Sequence, residues 1–371
     1  MTIGILGGGQ LGRMLILAGV PLGLRFRVLD PAREAATDVI APRVIGEYED
    51  FAVLAEFVRG LDAVTYEFEN VPVATARWLG ERVPVFPPPE ALEVAQDRVL
   101  EKEFLQRHGV PVPNFQSVAT RADYDRAIAV VGLPAVLKTR RFGYDGKGQT
   151  VVRSRDDIEP AWQSLGGRPL ILEQWIAFDR ELSVIAVRAH DGVTLAYPLT
   201  QNEHVNGILA KSVAGSKSAL AVSHAAQAIA GRIMSALNYV GTLAIEFFDT
   251  GGHLVVNEMA PRVHNSGHWT VDGAATSQFE NHLRAGVGLP LGETTAHGPC
   301  AMLNLIGSLP QAADILAIPG THWHDYGKSP RAGRKVGHVT LTAPDDRTFS
   351  ARLERLEAVL KSRIALSAVG S

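Results

Sequence analysis

Cysteine is almost absent from this chain of 371 residues, since Cys300 is the only one. A single cysteine excludes an intrachain disulfide and a zinc site built from several cysteines. This usage is typical of a reducing compartment, so the sequence predicts a cytoplasmic protein in which Cys300 is a packing residue.

The chain also lacks an excess of charge of one sign and a long hydrophobic run. Its formal net charge is −3, whereas general nucleic-acid and membrane-surface binders normally have a basic face. The apolar stretch 14–24 is too short to span a bilayer, and no basic segment precedes it. We therefore expect small-molecule substrates rather than a nucleic acid or a membrane. With 46% hydrophobic residues, the chain can bury a core divided over two or three domains.

The order of the predicted elements indicates an α/β amino-terminal part. Strand patterns over 2–6, 25–29 and 63–66 alternate with helical patterns over 10–17 and 52–58. This alternation is typical of parallel βαβ units.

Prolines between 84 and 89 end this alternation, and a charged helical stretch over 97–108 follows. Further on, strand patterns surround one amphipathic helix over 219–237, which is typical of an α+β region. We predict three domains, over residues 1–100, 101–291 and 292–371.

A glycine fingerprint over 7–12 follows the first predicted strand and opens a helix. It matches G-x-G-x-x-G, and Asp30 ends the next strand at nearly the spacing of a ribose-binding acid. Glycines let the backbone approach any phosphate at a helix amino terminus, so a nucleotide monophosphate fits as well as a dinucleotide. Because Pro31 follows Asp30, a strand-end turn residue is an equally good interpretation of this acid.

The middle of the chain has features suited to ATP, although no Walker-type P-loop sequence occurs. The glycine-rich segment 143–148 lies between strand patterns over 135–138 and 149–152, which predicts a hairpin whose tip can fold over a triphosphate. Lys138 would add a positive charge. A solvated hairpin tip is the alternative.

The segment 173–176 follows another predicted strand and could offer backbone groups to an adenine ring. Glu173 or a nearby acid could bind a ribose hydroxyl. Glu181 lies in an alternating pattern typical of a half-buried strand, with its polar face on the same pocket.

Two glutamates, Glu246 and Glu258, belong to apolar strand patterns joined by the turn 249–252. Carboxylates in such strands are costly unless they are paired or bound to a cation, and Mg²⁺ accepts carboxylate oxygens together with water and phosphate. We predict a Mg²⁺ site if both side chains lie on one face, which requires an odd-numbered loop or a β-bulge. Edge-strand surface glutamates are the alternative.

Polar groups are densest over 258–268, directly after an apolar strand pattern. A rigid scaffold can aim the side chains of such a loop, so the segment predicts a functional site. A capped turn with an incidental ion pair is the alternative.

Together these motifs resemble those of the ATP-grasp enzymes, and among them most closely the 5-(carboxyamino)imidazole ribonucleotide synthases. The matching segments follow the family's order over nearly the whole chain: 8–14, 66–70, Lys138, 143–149, 197–200, 257–268 and 333–338. The resemblance implies an ATP-grasp fold with an amino-terminal Rossmann-like (pre-ATP-grasp) domain and a small carboxyl-terminal domain. It also implies a homodimer that carboxylates 5-aminoimidazole ribonucleotide with ATP and bicarbonate, through carboxyphosphate, in de novo purine biosynthesis.

The resemblance further implies roles for individual residues. The ATP contacts are Arg98, Lys138, Gly143, Tyr144, Asp145, Gly146, Lys147, Gly148, Gln149, Glu173, Gln174, Trp175, Ile176, Glu181, His204, Asn257 and Glu258, and the Mg²⁺ ligands are Glu246 and Glu258. The substrate contacts are Gln10, Leu11, Glu67, Arg262, His264, Asn265, Ser266, Lys328, Arg331, Arg334 and Lys335. The catalytic residues are Asp145, Lys147, Arg262, His264 and Lys335. For the basic cluster 331–335, solvated surface charge is an equally good interpretation.

Three other functions stay open at this point. The chain could be another ATP-grasp carboxylate–amine ligase, such as a formate-using relative. It could be an NAD-dependent oxidoreductase built on the glycine fingerprint and Asp30. It could also be a nucleotide-sensing protein without activity.

Overall fold

A parallel sheet in the order β3-β2-β1-β4 forms the amino-terminal part of the protein. The computed structural model describes residues 1–143, 146–216 and 219–369, with side chains up to residue 361. The strands are β1 Thr2–Leu6, β2 Arg25–Asp30, β3 Arg43–Ile45 and β4 Ala63–Tyr66, and the helices are α1 Gln10–Gly19, α2 Phe51–Phe57, α3 Val73–Gly80 and α4 Pro89–Ala95. The parallel pairing of β1 with β2 and β4 confirms the predicted βαβ units.

A second, antiparallel sheet has the order β5-β8-β6-β7. We call it the lid sheet, because it carries the hairpin that is predicted to fold over a triphosphate. Its elements are β5 Phe115–Val118, α6 Arg121–Val131, β6 Ala135–Thr139, β7 Gln149–Val152, α7 Ile158–Leu165 and β8 Leu170–Gln174. The pairing of β6 with β7 sets Lys138 opposite Gln149 and confirms the predicted hairpin. The described ends of the glycine-rich segment, Gly143 and 146–148, therefore lie between these two paired strands.

The largest sheet is antiparallel and runs β14-β13-β9-β11-β12-β15-β17-β16, with β10 paired to β9. Its strands are β9 Arg180–Arg188, β10 Thr194–Ala196, β11 Thr200–Val205, β12 Ile208–Ala214, β13 Gly241–Thr250, β14 His253–Ala260, β15 Cys300–Ile306, β16 Thr321–Asp325 and β17 Lys335–Thr342. The remaining helices are α5 Arg98–Arg107, α8 Leu220–Ala236, α9 Thr270–Gly273, α10 Gln278–Gly286, α11 Ala312–Leu316 and α12 Asp346–Val369. The predicted long helix over 219–237 is thus present as α8.

The strands of the predicted carboxyl-terminal domain belong to the largest sheet, because β15 pairs with β12. This part still has its own apolar core, in which Ile315, Val339 and Leu356 are fully buried. The boundary between 291 and 292 stays a prediction. In the described part of the chain, the helices are all too short or too polar to cross a bilayer.

A buried histidine on α10, His282, joins the amino-terminal sheet to the large sheet. Its Nδ1 accepts the backbone N–H of Thr242 at 3.0 Å, so the proton lies on Nε2, which donates to the Thr65 hydroxyl at 2.8 Å. Burial lowers the pKa of His282 to about 3, because an imidazolium would lose its hydration there. The neutral ring is therefore part of the folded state.

We expect acid to destabilise the protein through His282. A histidine with a pKa of 6.5 when unfolded and about 3 when folded takes up a proton on unfolding between these values. The free energy of unfolding therefore decreases as the pH falls from 6.5 towards about 3, by at most about 1.4 kcal/mol per pH unit. The variant His282→Gln can keep both hydrogen bonds without titrating, so it should show a shallower dependence in urea unfolding.

The exposed His190 supplies the matched control. The variant His190→Gln should keep the wild-type dependence on pH. An unchanged slope in His282→Gln would contradict the assignment.

Candidate active site

A cleft of about 630 Å³ is lined by residues of the lid sheet and the largest sheet, together with α1 and the loop that follows β4. Its wall includes these predicted residues: Gln10, Leu11, Glu67, Arg98, Lys138, Gly143, Gly146, Lys147, Gln149, Glu173, Gln174, Trp175, Ile176, Glu181, His204, Glu246, Asn257, Glu258, Arg262, His264, Asn265 and Lys335. Two further predicted residues, Tyr144 and Asp145, lie outside the described residues. The fold thus brings segments more than 300 residues apart in sequence to one site.

Glu246 and Glu258 face each other across the β13–β14 hairpin because the hairpin contains a bulge. The turn has two residues, Gly251 and Gly252, with φ angles of 64° and 90°. Its register holds as far as Val256 and, if continued, would set Glu246 opposite Asn257 and turn Glu258 to the other face. A one-residue shift at this point pairs Glu246 with Glu258 instead. The one-face condition is met by a bulge and not by an odd-numbered loop.

The environment of the two carboxylates suits a cation. Burial, and then the charge of Glu258, raise the pKa of Glu246. At Glu258 burial acts in the same direction, but the guanidinium of Arg98, with Nη1 2.8 Å from Oε2, outweighs it and lowers the pKa. Mg²⁺ commonly binds through one or two carboxylates and completes its shell with water and phosphate oxygens. Glu246 and Glu258 supply the two carboxylates of such a site. The described ranges contain no cluster of three or more His, Cys, Asp or Glu ligands.

Lys138 and Glu173 form a buried ion pair on the lid sheet, with Nζ 2.8 Å from Oε2. Burial acts to raise the pKa of Glu173, but the charges of Lys102 and Lys138 outweigh it and lower the pKa to about 2. The positive charge that we expected Lys138 to give the nucleotide is therefore shared with a neighbouring carboxylate.

The backbone of the predicted adenine-binding segment is partly engaged in the lid sheet. The N–H of Gln174 donates to Asn114 at 2.7 Å, and that of Trp175 donates to Pro134 at 3.1 Å. These two amides are satisfied within the protein, so contacts to a base would come from other groups of the segment.

Glu181 on β9 and His204 on β11 form a hydrogen-bonded pair at the cleft wall. Nδ1 of His204 lies 2.8 Å from Oε2 of Glu181. Burial acts to lower the pKa of His204, but the bond to Glu181 and the charge of Glu246 outweigh it and raise the pKa. The ring therefore holds its proton more firmly than a free imidazole and can donate to an anion.

The loop after β14 presents one cation and one neutral donor to the cleft. Nε of Arg262 donates to the carboxylate of Glu69. Nδ1 of His264 accepts the N–H of Ser266 at 3.3 Å, so the proton lies on Nε2, which is 3.6 Å from Oε1 of Glu246. Burial and the charge of Arg262 lower the pKa of His264 to about 3, which keeps the ring neutral.

Several predicted residues lie behind or beside the cleft wall: Gly148, Ser266, Lys328, Arg331 and Arg334. The hydroxyl of Ser266 is fully buried and accepts from that of Ser183 at 2.8 Å. Nζ of Lys328 donates to the side chain of Gln10, and burial lowers the pKa of Lys328 to about 8. The roles of these residues stay predictions.

The glycine fingerprint holds a carboxylate of the protein itself at the amino terminus of α1. The N–H groups of Gly9 and Gly12 donate to the two oxygens of Glu67, the second at 2.7 Å. A Cβ on Gly9 would lie 2.4 Å from Oε1 of Glu67, so a side chain at this position would displace the carboxylate. Asp30 accepts the N–H of Gly8 at 2.7 Å, which supports its interpretation as a structural turn residue. A pyrophosphate would have to displace Glu67, which disfavours the dinucleotide interpretation.

Sequence reasoning missed the charged residues that support the wall. Glu69 was inside a recognised motif, but its ion pair with Arg262 was not foreseen. Glu101 and Lys102 on α5 are almost completely buried, with 2% and 0% of their surface exposed. The sequence carried a signal for both, because Glu101 lies three residues before Phe104 and Lys102 lies three residues before Leu105. Each charged residue thus shares a helix face with an apolar one.

Comparison with known proteins places each part of the chain in a family. The ribonucleotide synthetase preATP-grasp domain matches residues 1–96, the ATP-grasp domain matches 103–279, and the phosphoribosylaminoimidazole carboxylase C-terminal domain matches 300–352. The N5-carboxyaminoimidazole ribonucleotide synthase of Pseudomonas aeruginosa is 50% identical over 366 residues, which cover 98% of this chain and 100% of that protein. The chain belongs to the N5-carboxyaminoimidazole ribonucleotide synthase family.

Solved structures of N5-carboxyaminoimidazole ribonucleotide synthases agree with this assignment. The crystal structure of the Thermus thermophilus synthetase has 54% sequence identity and a TM-score of 0.93, and the match covers 96% of this chain and 98% of that one. The Aspergillus clavatus synthase, in complex with ADP and 5-aminoimidazole ribonucleotide, has 31% identity and a TM-score of 0.90, with 97% and 98% covered. The predicted fold class is confirmed, and the protein is an ATP-grasp ligase.

We expect Glu67→Ala to lower the free energy of unfolding of this synthase by about 1–3 kcal/mol, because it removes the acceptor of two backbone N–H groups. Urea unfolding measures the change. The exposed Glu34 is the control, and Glu34→Ala should stay within about 0.5 kcal/mol of wild type. Equal stabilities of the two variants would contradict a structural role for Glu67.

Proposed function

We propose that this protein carboxylates 5-aminoimidazole ribonucleotide with ATP and bicarbonate, releasing ADP and phosphate, as a step of de novo purine biosynthesis. The observation that carries the proposal is one cleft in which the facing carboxylates Glu246 and Glu258 lie beside the donors Arg262 and His264. A structural relative with ADP and 5-aminoimidazole ribonucleotide bound supports both ligands for this fold.

Glu246 and Glu258 would hold Mg²⁺ at the phosphate end of the nucleotide. The bound ion would supply positive charge against the β- and γ-phosphate oxygens. Arg98 pairs with Glu258 at 2.8 Å, so it is placed to share its guanidinium between that carboxylate and a phosphate. The nucleotide would thus be aligned by groups on α5, β13 and β14.

Arg262 and the neutral His264 are suited to hold bicarbonate near the transferred phosphoryl group. Arg262 brings a guanidinium with donors beyond the one that binds Glu69, and His264 turns Nε2–H towards the carboxylate pair. A bicarbonate oxygen attacks the γ-phosphorus, the bond to the ADP oxygen breaks, and carboxyphosphate forms. The protein's contribution is positioning and charge stabilisation.

The exocyclic amine of the ribonucleotide then attacks the carbon of carboxyphosphate. The carbon–oxygen bond to phosphate breaks, phosphate leaves with the electron pair, and the amine loses one proton to a base. The resemblance suggests that Asp145, which lies outside the described residues, orients or deprotonates this amine. This role stays a prediction, as do those of Lys147 and Lys335.

Carboxyphosphate hydrolyses readily, so the site must exclude water, and the glycine-rich loop is suited to close it. Gly146 has a φ of 74°, and a Cβ added there would lie 3.1 Å from Cα of Gly207 in the turn between β11 and β12. Gly146 and this turn therefore approach each other backbone to backbone at the wall of the cleft.

Mg²⁺ as the metal, a homodimer and a cytoplasmic location are part of this proposal. The carboxylate donor set supports Mg²⁺. The homodimer rests on the resemblance, and the location rests on the single cysteine and the biosynthetic role of the family.

The proposed reaction predicts phosphate release that depends on the ribonucleotide. With ATP, Mg²⁺ and bicarbonate present, adding 5-aminoimidazole ribonucleotide should accelerate release, because the amine consumes carboxyphosphate. A coupled phosphate assay measures this, and formate in place of bicarbonate is the control. Release driven by formate would favour a different ATP-grasp ligase.

We expect Glu258→Gln to reduce phosphate release by about 100-fold or more, because the amide removes one anionic metal ligand. Affinity for the ribonucleotide, measured by calorimetry, should stay within about twofold of wild type. The exposed Glu293 gives the control variant Glu293→Gln, which should behave as wild type. Equal losses of phosphate release and ribonucleotide affinity in Glu258→Gln would show that Glu258 organises the fold instead.

A further inference from the structure

Two adjacent charged residues of α5, Glu101 and Lys102, are buried against the outer edge of β14. This strand ends the large sheet, so one of its edges has no neighbouring strand in the sheet order. The side chains are 2% and 0% exposed, which is unusual for a glutamate and a lysine. Because they lie at a strand edge, they are placed to form hydrogen bonds with backbone groups that have no partner strand.

Both side chains bind the backbone at the bulge. Nζ of Lys102 donates to the carbonyl oxygens of Val256, at 3.3 Å, and of Asn257. Oε1 of Glu101 accepts the N–H of Met259 at 2.7 Å. These contacts run from Val256, the last residue that is paired in the register set by the turn, to Met259, which follows Glu258.

A bulge leaves the backbone groups of its extra residue without ladder partners, so these need other partners when buried. An ammonium has three donors and can serve two carbonyl oxygens at once. Burying that charge costs several kcal/mol unless opposite charges are near, and here Glu101 and Glu173 lie close enough to interact with Lys102. Lys102 can therefore be buried beside the bulge and bind two of its carbonyl oxygens without leaving an uncompensated charge.

We propose that Glu101 and Lys102 are positioning residues that fix the bulge at Asn257 and thereby keep Glu258 on the same face as Glu246. Without them, the end of β14 can adopt the register set by the two-residue turn, which sends Glu258 to the opposite face. The inference rests on the proposed function only where it concerns metal and nucleotide. The effect on the strand itself is independent of it.

The test compares wild type with Lys102→Met, which keeps the length of the side chain and removes its donors. Amide hydrogen exchange at Met259 should become at least about tenfold faster, since the edge of β14 is released. The gain in ADP affinity on adding Mg²⁺, measured by calorimetry, should fall by about 10–100-fold, as for residues that orient metal ligands. Affinity for ADP without Mg²⁺ should change by less than about twofold.

Lys211→Met is the matched control, because Lys211 pairs with Glu203 at 2.9 Å and Glu357 at 2.7 Å, away from the cleft wall. This variant loses the ion pairs of a lysine on the same sheet, and the substituted residue does not contact β14. Both measurements should stay at the wild-type values.

A second pair of variants decides the matter if Lys102→Met does not fold. Glu101→Gln keeps an oxygen that can accept the N–H of Met259, whereas Glu101→Leu removes it. We expect the leucine variant to show faster exchange and a weaker effect of Mg²⁺, and the glutamine variant to resemble wild type. Equal behaviour of these two variants would overturn the proposal.

The proposal is also overturned if Lys102→Met folds and keeps the wild-type gain in ADP affinity from Mg²⁺. If wild type itself shows no such gain, the proposed metal site is wrong. Hydrogen exchange at Met259 then still tells whether the two side chains hold the strand.

Discussion

The register of the β13–β14 hairpin is the constraint on which the site depends. Because side chains alternate between the faces of a strand, a shift of one residue decides whether Glu246 and Glu258 meet or point apart. The loop that carries Arg262 and His264 begins where β14 ends, so the same shift also sets the start of that loop. The bulge thus sets the positions of both the carboxylate pair and the donors beside it.

The charges of the cleft are arranged as pairs. Lys138 is matched with Glu173, Arg98 with Glu258, Arg262 with Glu69 and His204 with Glu181. Burial alone would favour the neutral form of each group, and pairing offsets that cost. In a site lined in this way, each cationic side chain can bind a carboxylate of the protein and an anionic group of a substrate at the same time.

The glycine fingerprint shows that a correct prediction of local structure can leave the ligand open. The strand, the tight turn and the helix that G-x-G-x-x-G indicates are present, and the backbone amides do hold an anion. That anion is the side chain of Glu67, more than 50 residues away in sequence. A motif fixes the shape of a backbone, whereas its occupant depends on what the rest of the fold brings to it.

The sequence by itself determined the βαβ units, the lid hairpin, the long helix α8 and the family, because these follow from periodicity, turn residues and contiguous motifs. It also named Glu246 and Glu258, since carboxylates in apolar strands need a cation or a partner. Only the tertiary structure decided that a bulge makes them face each other, that Glu67 fills the glycine loop, and that Glu101 and Lys102 support β14. These features depend on contacts between residues far apart in the chain, and the geometry of such contacts is not encoded in local pattern.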